Sequence, residues 1–259
     1  MLYVNKSEGH PPQDELKQVK AVLKRKRRTI NYDEAYKEPS TKELLSGLID
    51  HLVDDQRGLC VYCSCRVEGH GHAKPLSKIL GEVRDDPVTA HVEHYIPRHP
   101  GLWYRGSGSA SADILSLDYN NMFAACLGKG STCDRSRGNR KLHIDPRNWS
   151  DVETIFYTSG GEGFSTAGRE CSHNETIQHD IDDVLNLNHE RLRARRATVQ
   201  QMLYDMFRGL SDADAVEWCQ ELLAELRSDV RPPSFAPMLI WMLEDSLDLP
   251  HTGMVATEE

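Results

Sequence analysis

The segment "HVEHYIPRHP" (91–100) holds His91, Glu93, His94 and His99. Imidazole titrates near neutrality, so it can take a proton from water or ligate a metal. A carboxylate is a ligand for hard cations such as Mg²⁺. The types alone leave three readings open: a metal site, an acid/base site, or an exposed loop. Adjacent residues on a regular strand point to opposite faces. Glu93 and His94 can therefore share a site only at an irregular turn or where the strand ends. His91 lies two residues before Glu93, on the same face if the backbone is extended, with a structural hydrogen bond as its plain role. Ile96 and Pro97 close the stretch, and His99 reads as a loop residue.

A second set of reactive residues flanks the first. Cysteines stand at 60, 63, 65, 126, 133, 171 and 219. Their odd number, in a chain whose start reads as polar with no secretory leader, argues against a disulfide framework. Cys60 and Cys63 have the two-residue gap that brings two thiolates from one tight turn onto a tetrahedral Zn²⁺. Cys126 and Cys133 can supply the other pair, because the intervening "LGKGST" holds two glycines that let the chain fold back. Unrelated buried thiols are the alternative, and a redox pair is another, although the βαβ context of thioredoxin-like proteins is missing. Cys65 could replace Cys63 only by changing the turn. Cys219 reads as a helical core residue, Cys171 has no evident shared role, and His70 and His72 in "EGHGHA" read as exposed loop.

The elements that must position these residues follow from periodicity and turn residues. Residues 1–12 read as a loose arm, 13–28 as a helix and 29–40 as irregular. Apolar residues at 44, 45, 48, 49, 52 and 53 predict one helix over 41–58 ending at Gly58. A turn at 59–65 precedes a loop with a short helix over 66–90. A strand covers 91–97, a Gly/Ser-rich connection 98–117, and a turn, short extended piece and helix start 118–140. "DVETIFYTSGGEGFST" predicts a β-hairpin around Gly160 and Gly161. Helices follow over 188–210, 211–230 and 234–247, with Ser211 and Asp214 as a capping box. The fold class expected is α+β, mainly helical, in three parts: 1–58, 59–141 and 142–259.

The net charge of −9 argues against a surface basic all over, but local patches decide nucleic-acid binding. Basic runs occupy 17–28, 135–141 and 191–196, each with a solvated face as its plain reading. No apolar run approaches the ~20 residues that span a bilayer, and a cytoplasmic location is expected.

Taken together, Cys60-x2-Cys63, Glu93-His94-x2-Pro97, Asn121-x4-Cys126 and Cys133-Asp134-x2-Arg137-Gly138 resemble an HNH endonuclease core. More narrowly, "HVEHYIP", "LDYNNMFAAC", "CDRSRGN" and "DIDDVLNLNHERLRARR" resemble the HNH nuclease subunits (PtuB type) of Septu anti-phage systems and related retron systems. These blocks are scattered over about 60–200. The resemblance implies a ββα-metal fold in 59–141, stapled by a four-cysteine zinc site. It implies that His94 is the general base, that Glu93 ligates a catalytic Mg²⁺ or Mn²⁺, and that Asn121 holds the loop carrying His94. Asp134 stands where many HNH proteins have a metal-binding histidine, a departure that suits a hard cation. Arg135, Arg137, Arg140 and Lys141 are near enough in sequence to meet phosphates. The implied partners are a DNA substrate and an ABC-type ATPase subunit (PtuA-like), docked through 142–259. This chain carries no Walker A motif, so control by ATP would come from that partner. The competing reading is a zinc-stabilised nucleic-acid-binding or adaptor protein without catalysis.

Overall fold

Leu48, Ile49, Leu52 and Val53 recur at helical spacing and form the buried face of α4 (Leu48–Asp55). The computed structural model describes residues 1–6, 11–69, 87–104, 111–128, 131–165, 176–228 and 231–252. Three helices precede α4: α1 (Pro11–Arg25), α2 (Tyr32–Lys37) and α3 (Pro39–Ser46). Gly47 separates α3 from α4, so the single helix expected over 41–58 is two. The stretch 29–40, expected to be irregular, is mostly helical. The Asn31 side chain accepts the Glu34 N–H to cap α2, and Pro39 takes the first position of α3, where its missing N–H costs nothing. The expected loose arm also packs inward. Met1, Leu2 and Val4 are buried, and the N–H groups of Leu2 and Val4 donate to the carbonyls of Val61 and Pro146.

The central sheet has the order β1 (Val67–Glu68), β2 (Val88–His94), β3 (Met122–Cys126). β1 runs parallel to β2, and β2 antiparallel to β3 with His91 opposite Ala125 and His94 opposite Met122. β3 is buried along its whole length, which its uniformly apolar "MFAAC" permits. It packs against α4 and α6 (Cys133–Arg137). On its far edge the buried Gln56 amide donates to Ala124 O and accepts from Ala124 N–H, both at 2.8 Å, in place of another strand. The chain reaches β3 through α5 (Ala112–Leu115) and a 3₁₀ turn at Tyr119–Asn121. α6 spans five residues, too few to be stable alone.

Beyond α7 (Trp149–Val152), the expected hairpin forms from β4 (Ile155–Tyr157) and β5 (Gly163–Ser165). Gly161 has φ +73°, and a Cβ there would lie 2.5 Å from Arg193 O, so only glycine lets the hairpin approach the following helix this closely. α8 (Ile177–His179) runs into a π-helical turn at Asp180–Val184. α9 (Glu190–Phe207), α10 (Asp212–Ser228) and α11 (Ala236–Ser246) complete the chain as expected to within a few residues. Ser211 Oγ accepts the Asp214 N–H and donates to its carboxylate at the start of α10. The fold is mixed α and β, helix-rich with small sheets. Most of its buried apolar residues, among those described, form one cluster that includes residues of 1–58, 59–141 and 142–259. The short helix expected within 66–90, His70, His72 and Cys171 fall outside the described residues, save for the ends of that segment.

Candidate functional site

The turn after α4 and the end of β3 bring four sulfurs together. Cys60, Cys63, Cys126 and Cys133 are buried, with their Sγ atoms all within 4.8 Å of one another. Cys63 and Cys126 Sγ are 3.6 Å apart. Two sulfurs on one tetrahedral zinc, each at ~2.3 Å, sit about 3.8 Å apart. The backbone supports the cluster: Cys126 N–H donates to Cys60 Sγ at 3.4 Å, Cys60 N–H to Cys65 O and Ser64 N–H to Cys60 O. Ser64 and Cys133 both adopt positive φ to close these turns. Burial pushes Cys60 up, but hydrogen bonds from Cys126, Cys133 and Cys63 outweigh it and hold its pKa well below the ordinary thiol value. Cys126 and Cys133 pull Cys63 down, but Cys60, Cys65 and burial outweigh them and raise it. Cys133 likewise lowers Cys126 against Cys60, Cys63 and burial, which raise it, and at Cys133 the bonds to Cys126, Cys60 and Cys63 all raise. Zinc binding would require all four sulfurs as thiolates and would release the protons held here, and the group could hold a metal such as zinc. Cys65 lies beside the four, its sulfur 3.3 Å from Arg195 Nη1, and Cys219 is buried on α10.

A second group assembles around the next residue of α6, Asp134. One His91 nitrogen and one oxygen each from Glu93 and Asp134 lie within 4.8 Å of one another, a set that could also hold a cation. The two-residue period of β2 puts His91 and Glu93 on one face, as their spacing predicts. Asp134, on α6, meets them from below: its Oδ2 is 2.7 Å from His91 Nε2. Burial pulls His91 down, but the Asp134 bond outweighs it and raises its pKa. Burial likewise pushes Asp134 up, and the His91 bond brings it below the ordinary carboxylate value. His91 Nδ1 is a buried polar atom with no partner.

Glu93 is tied as well. Its Oε1 accepts from Tyr62 Oη at 2.8 Å and from Arg137 Nη1 at 2.5 Å, which leaves Oε2 outside both bonds. Burial pushes Glu93 up to about 7, with Arg137 opposing and Asp134 adding to the rise. Arg137, expected at a phosphate, is instead fully buried. Its guanidinium bonds Tyr62 Oη, Glu93 and the carbonyls of His94 and Tyr95. A cation this desolvated is stable only with such a complete set of acceptors. Arg140 is exposed, yet its guanidinium bonds the carbonyls of Ser136, Asp183 and Val184. Arg135 and Lys141 are exposed.

His94 is the last residue of β2 and is buried. Its Nε2 is 3.1 Å from Ser116 O. A carbonyl only accepts, so Nε2 carries the hydrogen and Nδ1 keeps the lone pair. Nδ1 has no hydrogen-bond partner among the described residues. Burial lowers His94 to about 4, against the Ser116 bond, so the ring is neutral at pH 7. Tyr32 stands edge-on to it with ring centroids 5.1 Å apart. Asn121 fixes the next turn: Oδ1 accepts Ile96 N–H at 2.6 Å, Nδ2 donates to Ile96 O and Leu115 O, and Asn121 O takes Tyr95 N–H. One cavity of about 160 Å³ borders His91, Glu93, His94 and Asp134 together, with Arg98 and His99 at its edge.

Tyr62, Tyr32 and the Ser116 carbonyl carry no signal of their own in the sequence. Tyr62 sits between two cysteines, but its partners Glu93 and Arg137 are far away in the chain. Neither the protein-family models nor the curated proteins compared with this chain match it.

Proposed function

We propose that this protein is a metal-dependent HNH-type DNA endonuclease. The observation that supports it is the joint bordering of one cavity by a His91–Glu93–Asp134 cation set and by His94 with an available Nδ1. The antiparallel β2–β3 pair followed by α6 has the strand–strand–helix order that the HNH resemblance implies.

His91, Glu93 and Asp134 would hold one Mg²⁺ or Mn²⁺; the mixed nitrogen and oxygen donors suit such a cation, and the orphaned His91 Nδ1 and raised Glu93 fit a site made for one. The cation would supply charge stabilisation to a phosphate oxygen and the leaving oxygen. His94 takes the proton of the attacking water at Nδ1, while Ser116 O fixes the tautomer through Nε2. Asn121 positions the turn behind His94 and does not itself border the cavity. Arg137 holds Glu93 and the His94 and Tyr95 carbonyls in register, and Arg135 and Lys141 remain as phosphate contacts. The zinc held by the four cysteines is structural. In the biological setting the resemblance implies, the chain acts in anti-phage defence with an ABC-type ATPase subunit, in the cytoplasm. Among the described residues no helix is long and apolar enough to cross a membrane.

Plasmid cleavage by the purified protein, alone and with its ATPase partner, with and without Mg²⁺ and ATP, tests this. Nicking or linearisation that needs the cation and is lost in His94→Ala is expected. Equal cleavage by wild type and His94→Ala sinks the assignment. A non-catalytic zinc-stabilised nucleic-acid-binding protein is the second reading. It is favoured by the commitment of Glu93 to a buried ion pair with Arg137.

A further inference from the structure

A larger cavity, about 320 Å³, opens on the other side of His91. Tyr32, Tyr36 and Lys42 line it from α2 and α3, Ile49 from α4, and His91 and Val92 from β2. It shares His91 and Val92 with the smaller cavity that borders His94. Its volume is at the lower end of the ~300–1,000 Å³ typical of small-molecule sites.

The lining has a particular chemistry. Tyr32 and Tyr36 are stacked, with centroids 6.5 Å apart and planes 18° from parallel. Tyr36 is 54% exposed, although an aromatic ring of this size ordinarily covers apolar surface. Lys42 Nζ lies 5.1 Å from the Tyr36 centroid; Arg98, which lines the smaller cavity and is paired with Asp33, has its Cζ 5.6 Å from the Tyr32 centroid. Aromatic faces flanked by cations, next to a group that handles phosphate, are what single-stranded nucleic acid binds: bases stack on the rings and the backbone runs along the charges. A base-paired nucleotide cannot enter, because its faces are covered by its neighbours in the stack.

We propose that this cavity receives one unpaired base, stacked on Tyr36 and Tyr32, beside the phosphate that is cut. The proposal rests on the nuclease reading of the adjoining site and adds its substrate class: nucleic acid that is single-stranded or opened next to the cleaved bond. DNA and RNA share this chemistry.

The test uses the full-length protein and short oligonucleotides carrying 2-aminopurine, as single-stranded DNA, single-stranded RNA and duplex DNA. Stacking quenches the fluorophore. Wild type is expected to bind and quench a single strand, of DNA, RNA or both, more strongly than the duplex. Tyr36→Leu should weaken that binding roughly tenfold, the size of one lost stacking contact. Tyr36→Phe, which keeps the ring, should stay within about twofold of wild type. The DNA and RNA arms identify which strand is the ligand. Equal behaviour of Tyr36→Leu and Tyr36→Phe overturns the proposal, as does quenching of the duplex alone. The two readings fail separately. If plasmid cleavage depends on His94 while Tyr36→Leu has no effect on single strands, the base pocket is wrong and the nuclease stands. If single strands stack on Tyr36 but nothing is cleaved, the nuclease reading fails and the pocket stands.

Discussion

Cys60, Cys63, Cys126 and Cys133 form a closed group: four sulfurs, all buried. His91, Glu93 and Asp134 form an open one: a nitrogen and two carboxylates, with Glu93 buried and the other two half-buried, bordering a cavity. Soft thiolates in a sealed tetrahedron suit a structural zinc, whereas mixed hard donors beside a cavity suit a cation that must meet a ligand. The two groups are not independent. α6 delivers Cys133 to one, and Asp134 and Arg137 to the other. Tyr62, inside the first cysteine turn, holds Glu93 of the second. The dependence should run mainly one way: α6 is too short to hold itself and is tied down through Cys133, and the second group takes Asp134 and Arg137 from α6 and a bond from Tyr62 in the cysteine turn.

The largest effect should come from the closed group. Cys133→Ser, or removal of zinc by a chelator, should unfold the centre of the protein and abolish the second site with it. Structural zinc contributes on the order of 10 kcal/mol in small domains. Metal analysis should find one zinc per chain in wild type, and circular dichroism should show the loss of cooperative unfolding in the variant. A fully folded, zinc-free Cys133→Ser would break the comparison outright. His91→Ala, by contrast, should keep zinc and fold.

Next comes His94→Ala, which should lower cleavage by roughly 10²–10⁴-fold, the usual range for a lost general base. Zinc content and the far-ultraviolet spectrum should not change.

A smaller effect concerns pH. Glu93, raised to about 7, keeps its proton in the folded, metal-free protein at pH values where an unfolded glutamate has lost it. A cation must displace that proton, so Mn²⁺ affinity should rise as pH climbs toward about 7 and level off above it. Calorimetry in two buffers of different ionisation enthalpy would register the released proton; affinity that falls over this window would remove Glu93 from the ligand set. Zinc on the four buried cysteines should, by contrast, stay bound across the same range.

The smallest effects belong to the surface. Arg135→Ala and Lys141→Ala should each weaken DNA binding a few-fold and reduce the salt dependence by about one counterion. Arg137→Ala should instead destabilise the protein by roughly 3–5 kcal/mol, because it removes the one donor set that Glu93, Tyr62 Oη and the His94 and Tyr95 carbonyls share in the interior. Thermal unfolding separates the two outcomes.

The residue types and the short spacings were legible in the chain. The Cys60–Cys63 gap marks a turn that brings two sulfurs together, the His91–Glu93 gap marks a shared strand face, and 118–140 reads as holding a short extended piece, because each depends only on neighbours within one local element; that this piece is a fully buried strand was not read from the sequence. The hairpin and the last three helices were legible for the same reason, since period and turn residues act locally. Tertiary structure decided the rest. Met1, Leu2 and Val4 pack inward because Val61 and Pro146 offer carbonyls to pair with. Arg137 turns inward because Tyr62, Glu93 and two carbonyls surround it, and none of these is its neighbour in sequence. Glu93 and His94, on opposite faces of one strand, border a common cavity only because β2 ends at His94 and Asn121 fixes the turn beyond. Sequence determined which groups could do chemistry; the long-range pairings, whose cost and benefit depend on burial, determined which of them meet.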